Sequence, residues 1–404
     1  MSILIKNALI VTQNHKREIL QGDVYIEDEL ISEIGNVHIE ADTVIEGKNI
    51  VVMPGLINTH THVAMTGMRG IADDVDLFEF LQKVWAVEEK MTWDDIYKGA
   101  RMGIEEMLRT GTTTFVDMYS YEDAVAKAVK ELGIRGYLGW AVVNEEITTQ
   151  GGTPVKNAEE FIRTYRGDDL VTPMIAPHAV YTCDEETLLS AKDVAERYET
   201  LMTIHIAETR KEVYDHRKKT GMRPVEWLDK IGFLKEGIIA AHLVWLTLRE
   251  IKILAEHNVV ASHNPTSNMK LGNGGSMPLP EMLNESMNIT LGTDSVVSNN
   301  NLDMFETMKI AAILHKNERW DPRITNAQMI LDFATINAAR ALGLNAGSIE
   351  EGKLADVIVV DGDAPNARPM RRDNVVSNIV YSLNGLNVKY TIVNGKIVYG
   401  KDQE

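Results

Sequence analysis

The chain has 404 residues, of which 44% are hydrophobic, 25% charged and only 6% aromatic. These are globular proportions, and the length suits a closed α/β barrel carrying a smaller module. A formal net charge of −18 argues against nucleic acid and anionic membrane as partners, since both need a concentration of Lys and Arg.

The stretch from Ser2 to about Val52 reads as short strands, ILIKNALIV, DVYIED, LISEIG and TVIEGKNIVV, separated by Gly, Asn and Asp turns. The far end has the same style, with DVIVVDG near 360 and NVKYTIVNGKIVYG, in which Asn394-Gly395 is a strong hairpin signal. The simplest account pairs the two ends as a small β-sandwich built from residues 1–52 and 346–404, with residues 53–345 inserted as a second domain. The opening MSILIKNALIVTQ is broken by Lys6 and Asn7 and makes a poor signal peptide. The single cysteine, Cys183, excludes an internal disulfide. A cytoplasmic location is expected.

The insert alternates apolar runs with helical patterns. Candidate strands are MPGLIN (53–58), TTTFVD (112–117), YLGWAVV (137–143), VTPMIAP (171–177), LMTIHIA (201–207), IIAAHLV (238–244), VVASHN (259–264) and NITLGTD (288–294). One intervening helix, in TLREIKILAEHN, has Leu248, Ile251 and Leu254 near helical spacing and Thr247 placed as N-cap. Eight such alternations predict an α/β fold of the (β/α)8, TIM-like barrel class.

In these barrels chemistry collects where the strands end. The first candidate strand delivers His60 and His62, whose i, i+2 spacing puts both imidazoles on one face of a strand, as two ligands of one ion require. Alone the pair is a weak signal, with about 0.3 such pairs expected by chance. Other strand ends carry His178, His205 followed by Glu208, His242, His263 and Asp294, and all are expected to face one mouth. His15, His38, His216 and His315 read as solvated or structural. A lone histidine is more often packed than ligating, but a concentration at strand ends is hard to obtain that way.

His60, His62, His205 and Asp294 make a plausible Zn²⁺ or Fe²⁺ shell with a position left for water. Such a shell makes hydroxide available near neutral pH, so hydrolysis follows. Glu208, three residues after a ligand, can reach a substrate while staying off the metal, and a carboxyl in a closed pocket can hold a proton at pH 7. His242 could polarise or deprotonate the water from the other side. Cys183 reads as a packed residue, and one cysteine is too few for the cysteine-ligated zinc site of cytidine-type deaminases.

The chain resembles the amidohydrolase superfamily, in the branch of S-adenosylhomocysteine, 5′-methylthioadenosine and 5′-deoxyadenosine deaminases. The resemblance rests on PGLINTHTH (54–62), RGIADD (69–74), GTTTFVDMY (111–119), APHAVYTC (176–183), IHIAET (204–209), AAHLVWL (240–246), SHNPTSNMKLGNG (262–274), LGTDSVVSNN (291–300) and EEGKLADVIVVD (350–361), in that order. It implies one divalent metal, zinc before iron, on His60, His62, His205 and Asp294. It also implies deamination of adenosine-type nucleosides, with Glu208, His242 and Asp294 carrying protons. Glu88 would grip the ribose hydroxyls and His178 the nucleoside, with Trp85, Trp140 and Ser298 as further substrate contacts. The partner is a small-molecule nucleoside, and the expected assembly is a homo-oligomer, dimer or tetramer.

Two features depart from the branch. Some members carry arginines in and after strand 3 that can meet a substrate carboxylate, whereas here GYLGWAVVNEEITTQGGTP has none until Arg163. A neutral 5′ tail would suit Trp140 better than the carboxylate of S-adenosylhomocysteine. GNGG (272–275) looks like a phosphate cradle but follows no strand, and reads as a pocket loop. The competing enzyme reading is an amidohydrolase acting on a free base or a triazine. Glu88 discriminates, because only a ribosyl substrate offers it two hydroxyls. A scaffold that kept the barrel and lost the chemistry would lack ligands, and none is missing.

Overall fold

The structure is a computed structural model that describes residues 1–400 apart from Lys48, Asp76 and the side chains of Leu77 and Phe78. The last four residues of the expected terminal module, 401–404, lie outside the described residues. Both chain ends enter one mixed sheet. Its order is Lys396–Gly400, Val388–Val393, Val357–Asp361, Ile50–Pro54, Ser2–Val11, Ile19–Glu27, Leu30–Gly35, with Thr43–Glu46 also paired to Ser2–Val11. The ends meet where Ile358 lies opposite Met53 in an antiparallel ladder. Asn394-Gly395 closes the last hairpin with φ of 51° and 70°, the twin left-handed turn that this dipeptide favours. A Cβ on Gly395 would also sit 1.6 Å from the Asp28 carbonyl oxygen. The expected sandwich is thus a single sheet. It curls so that Ile3, Ile10, Ile26, Val52, Val357 and Ile392, drawn from across its width, share one core.

The insert forms a barrel of eight parallel strands: β1 Leu56–Thr61, β2 Thr112–Tyr119, β3 Arg135–Val142, β4 Val171–Pro177, β5 Met202–Ile206, β6 Ile238–His242, β7 Val260–His263 and β8 Ile289–Leu291. Neighbours pair in chain order. The circle closes where the Asp294 N–H donates to the His60 carbonyl (2.9 Å) and the Thr59 hydroxyl to the Leu291 carbonyl (2.9 Å). The run MPGLIN divides instead of forming one strand, with Ile50–Pro54 in the terminal sheet and β1 in the barrel. Pro54 cannot donate to a ladder and Gly55 donates to the Asp356 carbonyl (2.9 Å), so the chain changes sheets there.

The helices follow local rules. Leu248–Glu256 opens on Thr247, the N-cap expected from its sequence, and Glu250 completes a capping box with it. Trp93–Arg109 opens on Thr92 and Asp95 and turns Ile96, Ala100, Ile104 and Met107 inward. It comes close to the segment after β1, where a Cβ on Gly99 would lie 2.0 Å from the Ala64 carbonyl oxygen. At the end of the barrel remote from the histidines, buried Arg135 forks onto Asp356 (Nε to Oδ2 3.0 Å, Nη2 to Oδ1 3.3 Å), tying β3 to the terminal sheet. Among the described residues no helix is long and apolar enough to cross a membrane.

Candidate active site

The C-terminal strand ends bring four donor atoms to one point. His205 Nε2 lies 3.2 Å from His60 Nε2 and 3.3 Å from His62 Nε2. Asp294 Oδ1 lies 3.6 Å from His60 Nε2 and 3.3 Å from His62 Nε2. Donor atoms about 2.0–2.1 Å from a tetrahedral zinc stand roughly 3.3 Å apart, so the spacing fits such an ion. The outer nitrogens agree with that fit. His62 Nδ1 lies 2.7 Å from the Met118 carbonyl and His205 Nδ1 2.8 Å from the His178 carbonyl. Protons on those nitrogens leave the Nε2 lone pairs facing inward.

Electrostatics points the same way. Burial pushes His60 and His205 well below the ordinary imidazole range, so both are neutral donors. Burial also opposes charge on His62, but the hydrogen bond and charge of Asp294 override it and raise the ring to about 9. Burial likewise opposes charge on Asp294, yet His62 and the neighbouring rings hold its carboxylate well below the usual range. The group of donors therefore favours a positive charge between His62 and Asp294, which a metal cation would supply. His242 stands just outside, with Nε2 4.0 Å from Asp294 Oδ2 and 3.8 Å from Glu208 Oε2. Its Nδ1 is 2.9 Å from Asn268 Oδ1. His60, His205 and His242 form an overlapping group able to hold an ion.

Several of these side chains hang on unusual backbone. Ala207, His242 and Asp294 have φ of 53°, 74° and 63°, a left-handed conformation that residues with a Cβ rarely adopt. Glu208 is buried, and burial raises its carboxyl above the ordinary range. Its Oε1 accepts from Asn273 Nδ2 (3.1 Å), so the GNGG loop, expected to be a pocket loop, meets the site through Glu208, while the cavity itself is lined by the preceding Leu271. Ser267 donates to Asp294 Oδ2 (2.5 Å) and the Ser295 N–H to Oδ1 (2.7 Å).

A cavity of about 560 Å³ opens from this point, within the range of small-molecule sites. His62, His178, His205, Glu208, His242 and Asp294 form its floor, and Trp85, Glu88 and Ser298 also line it. Helix Leu77–Glu88 covers the mouth, presenting Phe80, Leu81, Val84, Trp85 and Glu88 along one face. Glu88 Oε1 accepts the Tyr119 hydroxyl (2.6 Å), and burial raises its carboxyl. His178, with Nδ1 2.9 Å from the Thr182 hydroxyl, is pushed to about 3 by burial and by the neighbouring His62 and His242.

Two expectations do not hold. Trp140 is absent from the cavity wall: its ring packs between Tyr121 and Phe161, and its N–H donates to Gln150 Oε1 (2.6 Å), so Gln150 lines the cavity in its place. Residues alternate along a strand, and Trp140 falls on the outward side of β3 between Gly139 and Ala141. His263 faces away from the mouth and meets buried His315 (Nε2 to Nε2 3.0 Å). Of the residues that support the site, Tyr119, Asn268 and Asn273 lie within the motifs that carry the resemblance but are not singled out by them, and Glu212, three residues beyond IHIAET, has no signal beyond lying near a strand end.

An eight-stranded α/β barrel whose strand ends gather three histidines and an aspartate beside a buried carboxylate has the site of a metal-dependent hydrolase. The chain belongs to the amidohydrolase family, whose model matches residues 51–398. It is 46% identical to a 5-methylthioadenosine/S-adenosylhomocysteine deaminase of Thermococcus sibiricus, over 98% of this chain and 94% of that protein. It is 43% identical to a 5′-deoxyadenosine deaminase of Methanosarcina acetivorans, over 98% and 92%. A zinc-bound crystal structure of an adenosine deaminase from Xanthomonas campestris superposes with a TM-score of 0.93 at 32% identity, covering 98% of this chain and 92% of that one.

Proposed function

We propose that the protein is a metal-dependent deaminase of adenosine-type nucleosides, turning the 6-amino group into an oxo group and releasing ammonia. The observation that carries this reading is the four-donor group beside Glu208 and His242, with Glu88 on the wall opposite. A divalent cation on His60, His62, His205 and Asp294, with zinc proposed first, would supply a nucleophilic water near neutral pH. Glu208, whose carboxyl burial raises above its ordinary range, carries the proton that goes to ring N1 as water adds at C6. His242 and Asp294 Oδ2, 4.0 Å apart, take the proton that the water loses. They return it to the amine, which leaves as ammonia, while the new hydroxyl passes its proton to Glu208. One water and one aminopurine thus give one oxopurine and one ammonia, with both acids restored. His178, neutral at working pH, can share a hydrogen bond with the nucleoside without adding charge.

The cavity wall supports a neutral 5′ tail. Among the described lining residues there is no Lys or Arg, while Phe80, Leu81, Val84, Trp85 and Ile147 are apolar and Glu88 and Glu89 are acidic. Arg135 opens β3 but is engaged with Asp356. A substrate carboxylate without a partner forgoes a charge-assisted bond of roughly 1.5–3 kcal/mol, so kcat/KM should fall by about tenfold or more from 5′-methylthioadenosine to S-adenosylhomocysteine. A cytoplasmic setting belongs to the same proposal, and the lone buried cysteine fits it. The test is ultraviolet and ammonia assays of the metal-loaded protein on 5′-substituted adenosines, adenine, guanine, cytosine and a chlorotriazine. Turnover of the nucleosides above all others is expected, and a preference for a free base or triazine would overturn the reading.

A further inference from the structure

We infer that Glu212 is a positioning residue, whose carboxylate holds the backbone turn that presents Glu208 to the substrate. Glu212 sits in the first turn of helix Arg210–Thr220 and is buried. An acid there would ordinarily cap its own helix from the surface. Instead its two oxygens reach back past the helix start, Oε1 accepting the Ala207 N–H (2.9 Å) and Oε2 the Glu208 N–H (2.8 Å). The helix cap is a separate group, because Thr209 Oγ1 accepts the Glu212 N–H (3.1 Å).

The turn needs such a hold. Ala207, at φ 53°, is in the left-handed region that favours glycine, and a strained turn persists only where its surroundings over-determine it. Its carbonyl is fixed by the Trp245 N–H (2.9 Å), so with Glu212 in place both amides and the carbonyl between them are committed. The strain gives Glu208 its direction: the chain leaves β5 after Ile206 and turns so that the Glu208 carboxyl comes within 3.8 Å of His242 Nε2. A carboxyl group offers an acceptor oxygen to each N–H at once; burial and the nearby Glu208 raise Glu212 to about 7, and the two N–H bonds oppose that rise. The amide introduced by Glu212→Gln would turn its NH₂ against one of them, and the shorter side chain of Glu212→Asp could not span both.

The inference rests on the catalytic role proposed for Glu208 and is tested on the zinc-loaded enzyme with 5′-deoxyadenosine. Glu212→Gln should lower kcat by roughly 10- to 100-fold, the scale on which a misplaced group loses catalysis, with KM within about threefold and metal content unchanged. Thr209→Ala, which removes the helix cap and leaves the clamp, should lower the melting temperature while kcat stays close to wild type. In a Glu208→Gln background the Glu212→Gln change should cost no further activity, because Glu212 acts through Glu208. Overturning results are a Glu212→Gln enzyme with wild-type kcat per bound metal, or a further tenfold loss on top of Glu208→Gln. A Glu208→Gln enzyme that is itself fully active would instead refute the role given to Glu208.

Discussion

Glu88 carries the distinction between a nucleoside and a free base, and the structure allows its contribution to be sized. Its Oε1 already accepts the Tyr119 hydroxyl at 2.6 Å, which fixes the carboxylate and leaves its other lone pairs for the ribose hydroxyls. Each charge-assisted bond is worth roughly 1.5–3 kcal/mol. Glu88 is only half-buried, so the lower figure is taken. One such bond corresponds to about tenfold in kcat/KM, and two to roughly a hundredfold. Glu88→Ala should therefore lower kcat/KM for adenosine by about 10- to 100-fold and leave the metal in place. On 2′,3′-dideoxyadenosine wild type should already be slow, and the substitution should cost little more. Tyr119→Phe should produce a smaller, several-fold loss on adenosine alone, since it frees the carboxylate without removing it. The measurement is initial-rate kinetics of both enzymes on both nucleosides. Equal proportional losses on the two substrates would refute the ribose grip and remove the main argument against a free-base substrate.

Other perturbations probe different parts of the account. Glu208→Gln should reduce kcat by roughly 10²- to 10⁴-fold, the usual worth of positioned proton transfer, without loss of metal by elemental analysis; near wild-type turnover would place the proton elsewhere. Asp356→Ala should destabilise the fold by about 3–5 kcal/mol in urea titration, because it strands the buried Arg135 guanidinium. A change below about 1 kcal/mol would show that the fork contributes little. His216, packed edge-on to Trp227, is pushed by burial to about 4 from an ordinary 6.5. Below pH 6.5 the unfolded chain takes up a proton that the folded chain refuses until about pH 4, so this residue's contribution to stability falls as pH drops through that window. The difference in urea midpoint between wild type and His216→Gln should show that slope, and a pH-independent difference would contradict it.

The barrel and the donor set are legible in the sequence because both are periodic. Eight apolar runs separated by helical patterns leave few alternatives, and His60 and His62 share a strand face by simple alternation. What lies beyond that is tertiary. His263 ends a strand as His242 does, yet it faces the helix that carries His315, and strand-end position alone does not set which way the last side chain turns. Trp140 misleads because a large aromatic near a site suggests a ligand contact, whereas its place in β3 turns it outward. Splitting MPGLIN between two sheets depends on a partner strand some 300 residues away, which local pattern does not contain. Tyr119 and Glu212 act through hydrogen bonds to residues whose positions only folding sets.

The most direct test of a one-metal deaminase is to strip the protein with a chelator and restore Zn²⁺ in steps while following ammonia release from 5′-deoxyadenosine. The donors of His60, His62, His205 and Asp294, with His242 assigned to proton transfer in the proposed mechanism, predict activity that is absent without metal and reaches its plateau at one ion per chain. Full activity in the stripped protein, or a plateau reached only at two ions per chain, would contradict the account.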